Sequence, residues 1–219
     1  MINFSSGLIF LLGALAALGA AAIDMYLPSL PSIESELGGV SGSAQFTLSS
    51  FFIGLGLGQL FYGPISDSLG RRKVLVVGLL IYCLGSLFCF FAGTMMELVA
   101  ARFFQALGAA AGGVIARAMV RDVFTGKKAA QAQSFINLAF SFTPLMAPLF
   151  GGYLLIFFGW RSIFIALLLF GIICLLILIL KIPETLPKEK RNTLRLVSIV
   201  LGYRRILRNS RSIGSILSG

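Results

Sequence analysis

Six long apolar runs most strongly constrain how this chain can fold. They cover approximately residues 4–27, 44–66, 74–95, 98–120, 132–157 and 162–181. A run of about 18 or more residues with few charges predicts a membrane helix, because about 20 helical residues cross the hydrocarbon core. Backbone polar groups must bond within each such segment, which favours helices over strands. We therefore predict an all-α membrane protein in which residues 1–181 form a bundle of six transmembrane helices.

The distribution of Lys and Arg predicts the orientation of this bundle. These residues concentrate in the connectors after the second and fourth runs and in residues 182–219, whereas the opposite connectors hold Glu34, Glu36 and Glu97, with Arg161 as their basic residue. Short loops rich in Lys and Arg stay in the cytoplasm. We therefore predict a cytoplasmic N-terminus and a basic cytoplasmic linker over 182–219, leading towards an absent or truncated seventh helix. Membrane topology accounts for the net charge of +10, so nucleic acid is not a predicted partner.

Enzymatic chemistry finds little support in the sequence. The chain contains no histidine, which excludes a His-based triad or a His metal site. Cys83, Cys89 and Cys174 fall inside the apolar runs and lack ligand spacing, so we predict neither a metal site nor a disulfide. A phosphate-binding Gly-x4-Gly-Lys-Ser/Thr motif is also missing, which argues against ATP-driven export by this chain. We predict no enzyme and no cofactor.

Two charged residues near the predicted outer side are candidates for a coupling site. Asp24 lies near the end of the first run, and carboxylates in or near hydrocarbon are usually functional or paired. Arg102 lies about one turn into the fourth run, so we expect it at a similar depth, and Gln105 shares its helical face. We predict that Asp24 and Arg102, with Gln105, couple protons to substrate. Two alternatives remain open: Asp24 is interfacial, and Arg102 snorkels to the outer headgroups.

The stretch "GPISDSLGRRKV", residues 63–74, concentrates charge between two apolar runs. We expect Gly63 and Pro64 to end one helix and Gly70 to permit a tight reversal of the chain. Arg71 and Arg72 then anchor the cytoplasmic side, which the charge bias alone explains. Asp67 does not contribute to that anchor.

The fifth run carries polar and helix-perturbing residues at steps of four, three and four, followed by two glycines. This spacing places the polar and proline residues on one helical face, and we predict a bent helix whose polar stripe faces a pore. A static kink without a role in gating is the alternative. The residues are Asn137, Ser141, Pro144, Pro148, Gly151 and Gly152. In the second run, Gly54, Gly56 and Gly58 predict close helix packing rather than substrate contact.

Four of these stretches resemble motifs of one known family. "GPISDSLGRRKV" resembles the loop signature of the major facilitator superfamily, Gly-x3-Asp-Arg/Lys-x-Gly-Arg/Lys-Arg/Lys, although Ser68 stands where a basic residue is usual. "DMYLPSLP" from Asp24, "RFFQALGAAAGG" from Arg102 and "PLMAPLFGG" from Pro144 are similar to helix 1, 4 and 5 signatures of drug:proton antiporters. In the last, Ala147 stands where glycine often precedes the proline. Together the motifs most resemble the Bcr/CflA multidrug efflux branch.

This resemblance implies a fold and a function. Such transporters contain two six-helix halves, so the chain resembles the N-terminal half alone. The implied activity is export of small amphipathic, drug-like compounds across the bacterial inner membrane, driven by the proton gradient. The implied partners are the bilayer, protons, the substrate and the missing C-terminal half. The resemblance also implies a gating loop, in which the acidic residue latches the inner side: Gly63, Asp67, Gly70, Arg71 and Arg72. A facilitator for a polar metabolite and a non-transporting truncated module are the alternatives.

Overall fold

The regular structure of this protein is helical throughout the part of the chain described by its computed structural model, residues 6–38, 40, 42–187, 189 and 191. Six long helices in this part are apolar enough to cross a membrane, which confirms the predicted fold class. The elements are α1 (Ser6–Asp24), a 3-10 turn (Leu27–Ser29), α2 (Leu30–Glu36), α3 (Gln45–Leu69), α4 (Arg71–Phe91), α5 (Met95–Val123), α6 (Gly126–Phe158) and α7 (Arg161–Lys181). Most of the predicted linker, 192–219, lies outside the described residues.

The connection between α3 and α4 is shorter than the sequence suggested. The prediction that Gly63 and Pro64 end a helix is wrong, because α3 continues through Pro64 to Leu69. A membrane helix tolerates an internal proline where neighbouring groups satisfy the freed backbone. The reversal takes place at Gly70 alone, whose φ of +101° few residues other than glycine adopt. Asp67 therefore lies in the last turn of α3, and Arg71 begins α4.

The connector after α1 contains helical structure that hydropathy did not indicate. The first long helix ends at Asp24, before Pro28, as the proline predicted. A short 3-10 turn and the seven-residue helix α2 follow. Each has a proline in its first two positions. The N–H groups at these positions have no acceptor within the helix, so a proline costs no hydrogen bond there. The chain thus turns at the end of α1 and returns to the bundle surface.

Helix α5 forms the centre of the bundle, since it packs against α1, α3 and α4. Small residues make this packing close. A Cβ at Gly54 would overlap the carbonyl oxygen of Phe103, and one at Gly58 would overlap Ala110. A Cβ at Gly56, by contrast, would meet none of the surrounding described residues within 4 Å. The α3–α5 contact therefore uses the Gly54/Gly58 pair in the way that small residues bring membrane helices together.

Helix α6 is the least enclosed of the long helices. Of its 33 residues, the buried ones are Ala132, Ile136, Ala147 and Gly151. Its main neighbour is α1, and it makes fewer contacts with α7 and α5. Most of its surface, including large apolar side chains such as Leu145 and Phe157, is exposed in the isolated bundle. Packing among the described residues therefore leaves one broad face of α6 uncovered.

Candidate functional site

Arg102 is a completely buried cation on the central helix. Its Nη1 donates to Gln105 Oε1 at 2.7 Å and to the carbonyl oxygen of Ala22 on α1 at 3.1 Å. The guanidinium carbon lies 4.1 Å from the ring centroid of Phe51 and 4.5 Å from that of Tyr26. Arg102 Nε and Nη2 have no hydrogen-bond partner in the described part of the chain. The aromatic rings therefore supply much of the contact that a carboxylate would otherwise provide.

No salt bridge to Arg102 occurs among the described residues. Arginine remains protonated in proteins, so the core of the bundle holds a positive charge without a paired negative one. Burying a charge in this way is costly, and such residues in membrane helices usually mark functional sites. The position of Arg102 in the core also rules out the snorkelling alternative for this structure.

The orientation of Gln105 is fixed from α4. Ser86 Oγ donates to the carbonyl oxygen of Tyr82 at 2.9 Å, so its lone pair accepts the amide N–H of Gln105 at 2.8 Å. The amide oxygen of Gln105 is then directed towards Arg102. The predicted pairing of Arg102 with Gln105 is thus present, and it extends to a polar chain across α4, α5 and α1. Sequence reasoning did not include Ser86, whose only signal was a hydroxyl within an apolar run.

Asp24 lies at the end of α1 and is partly buried. Among the described residues, its carboxylate forms no hydrogen bond and no ion pair. Asp24 and Arg102, predicted to act together, therefore form no ion pair in the described part of the chain. Instead, the guanidinium is held by Gln105 and by the α1 backbone at Ala22, two residues before Asp24. Arg102 thus contacts the last turns of α1 but forms no ion pair with the Asp24 carboxylate among the described residues.

The six residues predicted to matter on α6 differ in how far they are buried. Gly151 packs so closely on the end of α1 that a Cβ would overlap the carbonyl oxygen of Met25, the neighbour of Asp24. Gly152 faces open space. Pro148 is partly buried, and the remaining three are exposed on the bundle surface: Asn137, Ser141 and Pro144. The polar stripe therefore faces away from the core of this bundle, while Gly151 contacts the Asp24 region.

A cavity of about 900 Å³ opens between α1, α6 and α7 beside this contact. Its lining is almost entirely apolar and rich in methionine and aromatic side chains, among them Met25, Met146, Phe150, Tyr153 and Phe170. Thr143 adds a hydroxyl group. Flexible methionines and flat rings adapt to apolar molecules of varied shape, so the cavity suits hydrophobic rather than polar ligands.

A charged network surrounds the α3–α4 turn, at what we call the Gly70 end of the bundle. The Arg71 side chain is buried and forms an ion pair with Asp67 one turn earlier. Its Nε donates to Asp122 Oδ2 on α5 at 2.9 Å, and Nη1 donates to Ser66 Oγ at 2.7 Å. The loop signature therefore places Asp67, Arg71 and Asp122 in one network joining α3, α4 and α5.

Two further contacts attach this turn to the end of α7. Arg72 Nη2 donates to the carbonyl oxygen of Ile179 at 2.8 Å. In return, Glu184 Oε1 accepts the backbone N–H of Arg71 at 2.9 Å and so caps the N-terminus of α4. A Cβ at Gly70 would overlap the Glu184 carboxylate. The sequence does not point to Glu184, because this residue lies in the segment predicted to be a linker.

These features define a multi-pass membrane protein in which a helical bundle carries a buried cation at one end and a charged turn at the other. The Major Facilitator Superfamily profile matches residues 9–219. The chain belongs to this superfamily, as the motifs indicated.

Three bacterial relatives match this chain, and the names of two of them agree with the branch that the motifs resemble. The chain is 44% identical over 186 residues to an uncharacterized MFS-type transporter, YdgK, of Bacillus subtilis, covering 84% of this chain and 46% of that protein. It is 35% identical over 206 residues to the bicyclomycin resistance protein homolog of Haemophilus influenzae, covering 94% and 52%. It is 33% identical over 203 residues to multidrug resistance protein D of Escherichia coli, covering 93% and 50%.

The same half-length match holds for a solved structure. The proton:xylose symporter XylE, bound to 6-bromo-6-deoxy-D-glucose, superposes with a TM-score of 0.70 at 18% identity, covering 83% of this chain and 46% of that one. This likeness supports the fold alone. The chain thus spans about half the length of the curated relatives that it matches.

Proposed function

We propose that this chain forms the N-terminal half of a proton-coupled multidrug efflux transporter, which exports small amphipathic compounds across the bacterial inner membrane. The observation that carries the proposal is the buried Arg102, which has no carboxylate partner among the described residues although Asp24 lies at the adjacent end of α1. The relatives named for bicyclomycin resistance and multidrug resistance support drug export. The basic Gly70 end faces the cytoplasm in this proposal, together with the N-terminus.

Asp24 and Arg102 then act as a switch with two positions. In one, the guanidinium rests on Gln105 and the Ala22 carbonyl, as the structure has it, and Asp24 holds a proton. In the other, the guanidinium moves to Asp24 and keeps it ionised, so that the carboxylate attracts a cationic drug. Because the drug and the proton compete for one carboxylate, each drug molecule leaves the cell in exchange for a proton that enters.

The cavity beside Met25 supports an amphipathic substrate. A compound with an apolar body would contact the methionine and aromatic lining, while its charged or polar group would lie towards Asp24. A polar metabolite would lose its hydration in this lining without regaining hydrogen bonds. This observation favours export of amphipathic compounds over the facilitator alternative.

The decisive variant is Asp24→Asn, measured in proteoliposomes containing this half joined to a matching second half. We expect drug-induced proton release to fall to background, because the amide keeps the shape of the carboxylate but cannot exchange a proton. Binding of neutral compounds is expected to remain.

Glu34→Gln is the matched control, since Glu34 lies ten residues further on and accepts a hydrogen bond from the Ala44 N–H. This variant is expected to release protons at the unaltered rate. Unaltered release by Asp24→Asn would contradict the switch and leave Asp24 as an interfacial residue. A complete absence of drug-dependent flux in the unaltered protein would favour the non-transporting module.

A further inference from the structure

A second charged cluster joins three helix ends on the opposite side of the bundle from Gly70. Glu36, at the end of α2, pairs with Arg161 and accepts the indole N–H of Trp160 at 2.7 Å. Arg161 Nη2 also donates to the carbonyl oxygen of Ala92, just after α4, at 3.0 Å. The guanidinium of Arg161 lies 4.2 Å from the Trp160 ring centroid. We call Glu36, Trp160 and Arg161 the Glu36 cluster.

Buried rings connect this cluster to Arg102. The Trp160 and Phe164 centroids are 6.0 Å apart in an edge-to-face arrangement, and those of Phe164 and Tyr26 are 5.7 Å apart. Tyr26 lies against the Arg102 guanidinium at 4.5 Å, and its hydroxyl is fixed by Thr47 Oγ1 at 2.7 Å. Trp160, Phe164 and Tyr26 are each at most 2% exposed. These three rings, the aromatic column, therefore form a continuous packed path from a surface carboxylate to the buried cation.

The two ends of this path are also connected along the chain. Tyr26 follows Asp24 by two residues. Glu36 is the last residue of α2, the next α-helix after the short 3-10 turn. Fixing α2 to the start of α7 therefore fixes the segment that carries Tyr26. An exposed ion pair alone contributes little. Here the same carboxylate accepts the N–H of a buried tryptophan, and its loss leaves that donor unpaired.

We propose that Glu36 is a positioning residue for Arg102: through the aromatic column, the Glu36 cluster sets how the rings pack on the buried guanidinium. The proposal rests on the proposed function for its role in transport. In a transporter of that kind, a rearrangement of the Glu36 cluster at the membrane surface would change the ring contacts that hold the Arg102 guanidinium against Gln105. Packed interiors transmit such changes because they are dense and adopt discrete arrangements.

The test uses the 219-residue chain in lipid nanodiscs and needs no transport assay. Trp160 is the single tryptophan of the sequence, so its emission reports on the Glu36 cluster directly. Cys89 reports on the other end, because its Sγ lies 4.0 Å from Gln105 Oε1. In a Cys83→Ala/Cys174→Ala background, the rate of Cys89 alkylation by N-ethylmaleimide measures how tightly the Arg102 site is packed.

Glu36→Ala is expected to shift the Trp160 emission to longer wavelength and to accelerate Cys89 alkylation by on the order of twofold to tenfold. Glu36→Gln retains an acceptor for the indole N–H, so both effects should be smaller. Glu34→Ala is the matched control on the same short helix: Glu34 bonds to the Ala44 N–H, and neither readout should change.

Phe164→Leu interrupts the aromatic column and separates transmission from general loosening. In that background, Glu36→Ala should still shift the Trp160 emission but no longer change the Cys89 rate. The proposal is overturned if Glu36→Ala alters Trp160 and leaves Cys89 unaffected, or if its effect on Cys89 persists in full in the Phe164→Leu background. Since neither readout involves proton release, failure of drug–proton exchange would be a separate result.

Discussion

At the scale of single residues, Arg102 departs from the rule that buried charges are paired. Three aromatic rings lie within 6 Å of its guanidinium carbon, and one of its terminal nitrogens makes two hydrogen bonds. Its two other nitrogens make none to any residue that the structure describes. The guanidinium is held mainly by the faces of aromatic rings and by the hydrogen bonds of Nη1. Its Nε and Nη2 groups remain as donors that a carboxylate could accept. These properties suit a switch better than a permanent ion pair.

We expect Arg102→Lys to destabilise the chain by about 1–3 kcal/mol, because an ammonium group keeps the buried charge but loses the planar stacking and the fork. Unfolding by SDS titration of the chain in mixed micelles measures this. Arg117→Lys on the same helix is the control: Arg117 is partly buried and has a single long hydrogen bond to Gly113, so a change within about 0.5 kcal/mol is expected. Equal stability of Arg102→Lys and the unaltered chain would show that planarity does not matter there.

The sequence identified Asp24, Arg102 and Gln105 because polar residues are conspicuous in apolar runs. It could not identify Tyr26, Phe51 or Phe164 as the rings around Arg102, since aromatic residues occur in every run and their contacts depend on tertiary packing. The same reason hid the bond between Glu36 and Trp160, which are 124 residues apart. Residue type thus singled out the charged candidates, whereas the contacts around Arg102 and Gln105 depend on the three-dimensional arrangement.

At the scale of secondary structure, hydropathy predicted the existence of each long helix well and its ends less well. Apolar length decides whether a segment crosses the membrane, but helices extend beyond the hydrocarbon into charged residues. Helix α6 begins at Gly126, several residues before its apolar run, and α3 continues through Pro64 to Leu69. The end of α3 is determined by the positive φ of Gly70 rather than by the loss of hydrophobicity.

Asp67→Asn tests whether the last turn of α3 has a role beyond holding the α3–α4 turn. Arg71 keeps its bonds to Asp122 and Ser66 in this variant, so we expect insertion and folding to be unaltered. If the Asp67 carboxylate also meets a positive helix N-terminus in the second half, turnover of the completed transporter should fall by roughly tenfold. Drug efflux from vesicles provides the measurement.

Ser68→Ala is a matched control for that experiment, because it changes the neighbouring position without removing a charge. Its efflux should equal that of the unaltered protein. If Asp67→Asn transports at the full rate, the carboxylate serves only the local ion pair with Arg71 and the gating role is wrong.

At the scale of the whole molecule, the described residues form one of the two bundles that the superfamily fold contains. Alternating access requires two bundles that move about a central site. Under the proposed function, a second bundle would complete such a site at the broad uncovered face of α6, which carries the exposed polar stripe. The contacts that hold the buried cation and the charged turn, by contrast, are made by the described residues of this chain.

Expressed alone, the 219-residue chain is therefore expected to confer no drug resistance, while co-expression with a matching second half should restore it. Minimal inhibitory concentrations in an efflux-deficient bacterium provide the measurement, with membrane insertion of the chain verified in both strains. Resistance from the chain alone would contradict the prediction, unless cross-linking showed that two copies associate to supply both bundles.

The carboxylate that caps α4 has a consequence for how the protein is made. Glu184 lies 113 residues after Arg71 in the chain, so the ribosome has already synthesised the α3–α4 hairpin, α5, α6 and α7 before this cap exists. Until then, the first N–H of α4 lacks the acceptor that it has in the finished bundle. The turn at Gly70 therefore reaches its final form only after the sixth long helix is in place, which makes its completion a marker of assembly of the whole half.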